Sequence, residues 1–107
     1  FSSVLGRMGM IGATNYAASK GGVESFTKSL ALECLHKRKI FVNAVALGYF
    51  KIGMGLDLSE KIVETIKEKI PLKDFGETDE ITNVVDYILS SKYLVGQIIE
   101  INGGLLL

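Results

Sequence analysis

Apolar positions along this 107-residue chain follow two spacings: short contiguous runs, and recurrences every three or four residues. "FSSVL" (1–5), apolar around two serines, predicts the end of a strand running into the glycine-rich loop "GRMGMIG" (6–12). From Ala13 to His36 only Gly21–Gly22 interrupt the helix-compatible residues. Val23, Phe26, Leu30 and Cys34 recur at helical spacing, which predicts one long helix with that stripe turned inward. It ends in "HKRK" (36–39), cations that suit the carbonyl end of a helix. "IFVNAVA" (40–46) is short and rich in β-branched residues and predicts a buried strand, followed by the loop "LGYFKIGMG" (47–55). In "DLSEKIVETIKEKI" (57–70), Ile62, Val63, Ile66 and Ile70 mark a second helix, stopped by Pro71. A third helix follows in "TDEITNVVDYILSS" (78–91). Thr78 is its expected N-cap, Asp79 and Glu80 lie in its first turn, and Ile81, Val84, Val85, Ile88 and Leu89 form its stripe. "QIIEI" (97–101) predicts a last strand, turned by "NGG".

Strand, helix, strand, helices, strand is the order of parallel strands joined by crossover helices. The expected fold class is therefore α/β, half of a Rossmann-like doubly wound parallel sheet with three α/β/α layers. Such sheets bind ligands beyond the carboxyl ends of their strands, where "SSVLGRMG" and "ALGYFKIG" would lie. Composition adds limits: 48% hydrophobic and 22% charged residues describe an ordinary globular domain. Twelve cations against twelve anions leave no basic field for nucleic acid. No apolar run approaches a membrane span. Cys34 is the only cysteine and is expected to pack in the core; His36 is the only histidine, and no cluster suggests a metal.

The candidate chemistry lies in "NYAASK" (15–20). Positions four apart share a helix face, so Tyr16 and Lys20 project together near the helix N-terminus. A neighbouring ammonium and the positive helix end both favour the phenolate, which suits a phenol to proton transfer near neutral pH. Ala17 and Ala18 leave room for a bound molecule. Tyr-x-x-x-Lys alone is a common surface pair. Here it opens a long helix, and Ser3 precedes it at a strand end, 13 residues before Tyr16.

These stretches, with "NYAASKGGVESFTKSLALE", "VNAVALGYF", "IPLKDFGETDEI" and "VGQIIEINGG", resemble the C-terminal half of the short-chain dehydrogenase/reductase family, especially its 3-oxoacyl-(acyl-carrier-protein) reductases. The resemblance implies that Ser3, Tyr16 and Lys20 are the catalytic serine, tyrosine and lysine. It implies cofactor contacts from Tyr16, Lys20, Gly48 and Phe50, the last two through their backbone, with NADP or NAD as cofactor. Hydride would pass between nicotinamide and the carbonyl of a small or acyl-carrier-linked substrate, as in fatty acid synthesis. A cytoplasmic homodimer or homotetramer, with no nucleic acid or membrane partner, is the implied setting.

Two departures stand out. The family's Pro-Gly after the second strand is Leu47-Gly48, and its following threonine is Ile52, which offers no side-chain hydrogen bond. "GRMGMIG" reads G-x-x-G-x-x-G before a helix, not the family's pyrophosphate loop, and is expected to shape the substrate side. Met54 and helix 57–70 fall where the family carries its substrate lid, and Leu105–Leu107 are expected to be a buried tail. The start at Phe1 reads as a strand end, which raises the expectation that residues 1–107 are the C-terminal part of one domain whose dinucleotide-binding half is absent. A catalytically inactive remnant acting through subunit contacts is the alternative. A Ser3–Lys20 hydrolytic dyad lacks a nucleophile elbow.

Overall fold

The computed structural model describes the backbone of residues 1–107 and every side chain except that of Met54, so the expectation for Met54 lies outside the described residues. Three parallel strands form one sheet in the order β1 (Ser2–Ser3), β2 (Ala44–Leu47), β3 (Ile98–Ile101). Ser2 pairs with Ala46, and Ala44 with Ile98. Helix α1 (Thr14–Arg38) joins β1 to β2, while α2 (Glu60–Lys69) and α3 (Thr78–Ser90) lie between β2 and β3. This is the expected α/β class with parallel strands and crossover helices.

β2 is the buried centre: Ala44, Val45 and Ala46 are each at most 5% exposed. α1 packs against β1 and β2. Val85 and Ile88 of α3 share a cavity of about 150 Å³ with Ala44 and Val45. The regular strand begins later than the 40–46 run suggested. Asn43 replaces ladder pairing with its side chain, which donates to the Leu94 carbonyl (2.8 Å) and accepts from the Gln97 N–H (2.9 Å). Ile40 and Phe41 stay exposed.

The stripe expected on α1 is corrected. The buried positions are Glu24, Thr27 and Ala31, whereas Phe26 is 64% exposed and Cys34 only half-buried. The reason is how closely the backbones approach. A Cβ at Gly6 would lie 2.9 Å from the Gly21 nitrogen, so the turn after β1 touches the helix backbone itself. Only small or paired polar side chains fit beside such a contact, and the large apolar ones fall on the neighbouring face. Thr27 is satisfied within the helix, donating to the Val23 carbonyl (2.7 Å).

At α3, Glu77 occupies the N-cap position and makes no side-chain cap; Thr78 is already helical, correcting its expected role. Asp79 and Glu80 do fill the first turn. Ile81, Val84, Val85 and Ile88 are half-buried, but Leu89 is exposed. α2 is shorter than expected, and of its stripe Ile62 is exposed while Ile70, just past its end, is 1% exposed. The C-terminal tail is only partly buried: Leu105 and Leu106 are half-covered and Leu107 is fully exposed. No helix among the described residues is long and apolar enough to cross a membrane.

Candidate active site

Ser3 ends β1 and caps the 3₁₀ turn Val4–Gly6, its Oγ accepting from the Leu5 N–H at 3.3 Å. Ser3 is buried, 7% exposed. Its acceptor role leaves the hydroxyl proton available to a second partner. Residues 7–13 then lead into α1, whose first turns carry Tyr16 and Lys20.

Lys20 sits one turn after Tyr16, its Nζ 5.6 Å from the centre of the Tyr16 ring. The same Nζ donates to the Phe1 carbonyl (3.1 Å), which ties the ammonium to the chain entering β1. The expected sharing of a face by Tyr16 and Lys20 is thus present, beside the strand that bears Ser3. No hydrogen bond joins Ser3 to Tyr16 among the described residues.

Gly48 follows β2 and donates its N–H to the Ile101 carbonyl (2.9 Å). A Cβ there would come within 2.7 Å of the Asn102 Cα, so the turn requires glycine. Phe50 is buried and bridged to Gly76, with Lys51 N–H donating to the Gly76 carbonyl (3.0 Å) and Gly76 N–H to the Tyr49 carbonyl (2.9 Å). The Phe50 N–H itself has no hydrogen-bond acceptor among the described residues. Ile52 is half-exposed and offers no polar group.

Tyr49 stacks on Phe75 with ring centres 5.5 Å apart, and its hydroxyl lies 3.9 Å from Met10 Sδ. Burial pushes the Tyr49 phenol above its ordinary value, and charge on nearby Tyr16 pushes the same way. Met10 belongs to "GRMGMIG", so that loop reaches Tyr49 in the turn after β2.

Sequence reasoning missed a second polar group. Buried Glu24 accepts from Arg7 Nε (2.6 Å) and from Ser2 Oγ (3.0 Å), and Arg7 also pairs with Glu100 on β3. The hydrogen bond to Glu24, then the charges of Glu24 and Glu100, hold the Arg7 guanidinium above its usual range. The only signal was a carboxylate one position off the apolar stripe of α1.

The fold is a parallel α/β sheet, with Tyr16 and Lys20 on one face of α1 and Lys20 Nζ bonded to the chain that enters the strand ending in Ser3. The family described as enoyl-(acyl carrier protein) reductase matches residues 1–106. The chain belongs to the short-chain dehydrogenase/reductase family. It is similar to the 3-oxoacyl-(acyl-carrier-protein) reductases FabG of Aquifex aeolicus, 45% identical over 97% of this chain, and of Thermotoga maritima, 47% identical over 99%. The chain spans 42% and 44% of those relatives' lengths. Among solved structures, an actinorhodin polyketide ketoreductase variant with NADPH superposes with a TM-score of 0.87 at 30% identity, over 97% of this chain and 44% of that one. A Bacillus anthracis short chain dehydrogenase gives 0.86 at 28% identity, over 99% and 42%.

Proposed function

We propose that the polypeptide carrying these residues is an NAD(P)-dependent oxidoreductase that reduces a 3-oxoacyl group held on an acyl carrier, with Ser3, Tyr16 and Lys20 as its catalytic residues. The observation that carries this reading is the Tyr16–Lys20 pair, 5.6 Å from ammonium to ring centre, beside the strand that ends in Ser3.

The residues present fit a nicotinamide riboside. Among the described residues the Phe50 N–H is unclaimed and suits the carboxamide oxygen, and Gly48 lets the turn that carries it lie against the Asn102 backbone. Lys20 Nζ has one acceptor, the Phe1 carbonyl, and further donors for ribose hydroxyls. When bound, nicotinamide supplies or accepts the hydride. In the reducing direction the Tyr16 hydroxyl gives its proton to the substrate carbonyl oxygen, and the Ser3 hydroxyl donates a hydrogen bond to that same oxygen. The Lys20 ammonium stabilises the phenolate that Tyr16 leaves behind. Met10 and Tyr49, the latter backed by buried Phe75, offer an apolar surface to an acyl chain near Tyr16.

Assembly into a homodimer or homotetramer is supported by apolar residues left open on α1: Phe26 and Leu32 are 64% and 69% exposed. Which of NADP and NAD is used is left to the assay. The full-length gene product is assayed with an acetoacetyl thioester and NADPH or NADH. Turnover with at least one cofactor is expected, and Tyr16→Phe should lower it by about 10²-fold while cofactor affinity stays nearly unchanged. Near-normal turnover in Tyr16→Phe removes the role given to Tyr16, and an inactive wild type supports the remnant alternative.

A further inference from the structure

Glu24 is the one charged side chain among the described residues that is buried, 6% exposed, and the chemistry above does not use it. Its Oε1 accepts from Ser2 Oγ at 3.0 Å, and Ser2 Oγ also lies 3.0 Å from the Lys20 carbonyl oxygen. Its Oε2 accepts from Arg7 Nε at 2.6 Å. The other side of the Arg7 fork reaches Glu100 on β3, 93 residues away in sequence. Glu100 in turn accepts from Asn102 Nδ2 at 3.3 Å, and the Asn102 backbone is what Gly48 abuts. An unbroken run of contacts thus leads from Lys20 and the Ser2–Ser3 strand, through Arg7, to the turn that carries Gly48 and Phe50.

Stability does not account for such a group. Replacing a buried ion pair with apolar residues of similar volume is often neutral or stabilising. What a guanidinium adds is geometry, because its rigid planar fork can hold two carboxylates at a fixed separation, which a single ammonium cannot. We propose that Arg7 is a positioning residue: by bridging Glu24 and Glu100 it fixes the Ser3–Lys20 end of the site relative to the Gly48–Phe50 turn. This rests on the function proposed above, because those two places are where the proton-handling and cofactor-holding groups lie. A misplacement of about 1 Å between such groups can cost about 10²-fold in rate.

The test compares wild type, Arg7→Met, Arg7→Lys and the double variant Arg7→Met/Glu24→Gln in the full-length gene product. Arg7→Met leaves Glu24 buried and unpaired, so it should lose both stability and turnover. The double variant has no orphaned buried charge and should recover the wild-type melting temperature. Its kcat is nonetheless expected to stay about 10- to 100-fold low, with less than about threefold change in KM for the thioester, and Arg7→Lys is expected to rescue kcat in part. Recovery of kcat together with stability in the double variant overturns the proposal, since Arg7 then only neutralises Glu24. A wild type that reduces no ketone overturns the functional reading instead, and amide exchange then decides the role of Arg7. The Leu5 and Gly48 N–H groups, bonded to Ser3 Oγ and the Ile101 carbonyl, lie at the two ends of the run. In the stable double variant both should exchange about tenfold faster than in wild type, and unchanged exchange overturns the proposal.

Discussion

The first 50 residues and the α2–α3 segment are held by different physics. In the first, backbone meets backbone: the turn after β1 lies against α1 at Gly6 and Gly21, and Ala31 of α1 faces Gly96. The face that α1 buries is small and polar, with Glu24, Thr27 and Ala31 inside. In the second, α2 and α3 carry clear apolar stripes yet fully bury none of their residues. Ser3, Tyr16 and Lys20, the residues proposed above for chemistry, sit on the tight half, which suits groups that must be fixed to fractions of an ångström. The looser half holds its place with two buried anchors, Ile70 and Phe75.

That difference also explains what was legible in the sequence. α2, α3 and β3 follow from hydrophobic period, because their own large apolar side chains leave a periodic trace. The pairing of Tyr16 with Lys20 follows from their spacing alone. The inward face of α1 did not, because close approach selects for small residues and satisfied polar groups, which a search for apolar stripes passes over. Gly21, read as an interruption, is a contact site. Arg7, Glu24 and Glu100 come together from three separate elements, and no local pattern links positions 93 apart. The start of β2 was misplaced because Asn43 uses its side chain where the β-branched run predicted ladder bonds.

The sharpest way to break the contrast is to add volume to the tight face. Ala31 is 1% exposed. Ala31→Leu puts three more carbons against Gly96 and should cost about 1–3 kcal/mol, as overpacked cores do. Leu89→Ala removes three carbons from a side chain that is 77% exposed on α3; its effect should stay within about 0.5 kcal/mol. Urea unfolding of the two variants beside wild type measures both. Equal losses would mean that the two regions are packed alike.

A pair of glycines on either side of one contact sharpens the same point with a change of sign. Gly6→Ala places a Cβ 2.9 Å from the Gly21 nitrogen and 3.0 Å from the Lys20 carbonyl carbon, both backbone atoms that cannot swing aside. It should destabilise by about 1 kcal/mol or more and lower turnover too, since Lys20 moves with the helix. Gly22 lies one residue beyond the contact, and a Cβ there meets nothing within 4 Å. Gly22→Ala should stabilise by about 0.5–1 kcal/mol through helix propensity. Thermal melts read both signs, and a loss at Gly22 would place the close approach on a broader face of α1 than Gly21.

The smallest effect belongs to the ion cluster that closes the loop before α3. Asp74 Oδ1 accepts from the Phe75 N–H (2.8 Å) and lies 3.1 Å from Lys67 Nζ, while Lys51 Nζ reaches Asp74 Oδ2 (3.4 Å) and pairs with Glu77. The hydrogen bond from Lys67, then that from Phe75 N–H and the pairing with Lys51, hold the Asp74 carboxyl below its ordinary value of about 3.8. Glu77 first, then Asp74, hold the Lys51 ammonium above about 10.5. The signs follow from linkage. What Asp74 contributes is present above about 3.8 and fades as pH falls through its lowered folded value. What Lys51 contributes is present below about 10.5 and fades as pH rises through its raised one. Between those limits both contributions are present, but Asp74 and Lys51 are solvent-exposed, so they add little. Asp74→Asn should lower the urea midpoint slightly near neutral pH at low ionic strength. The difference should vanish in about 1 M salt, where screening acts within about 3 Å, and vanish again in acid below the Asp74 titration. A difference that survives salt would show the loop clasped as firmly as the Arg7 bridge, and the two halves of the molecule would then differ in packing alone.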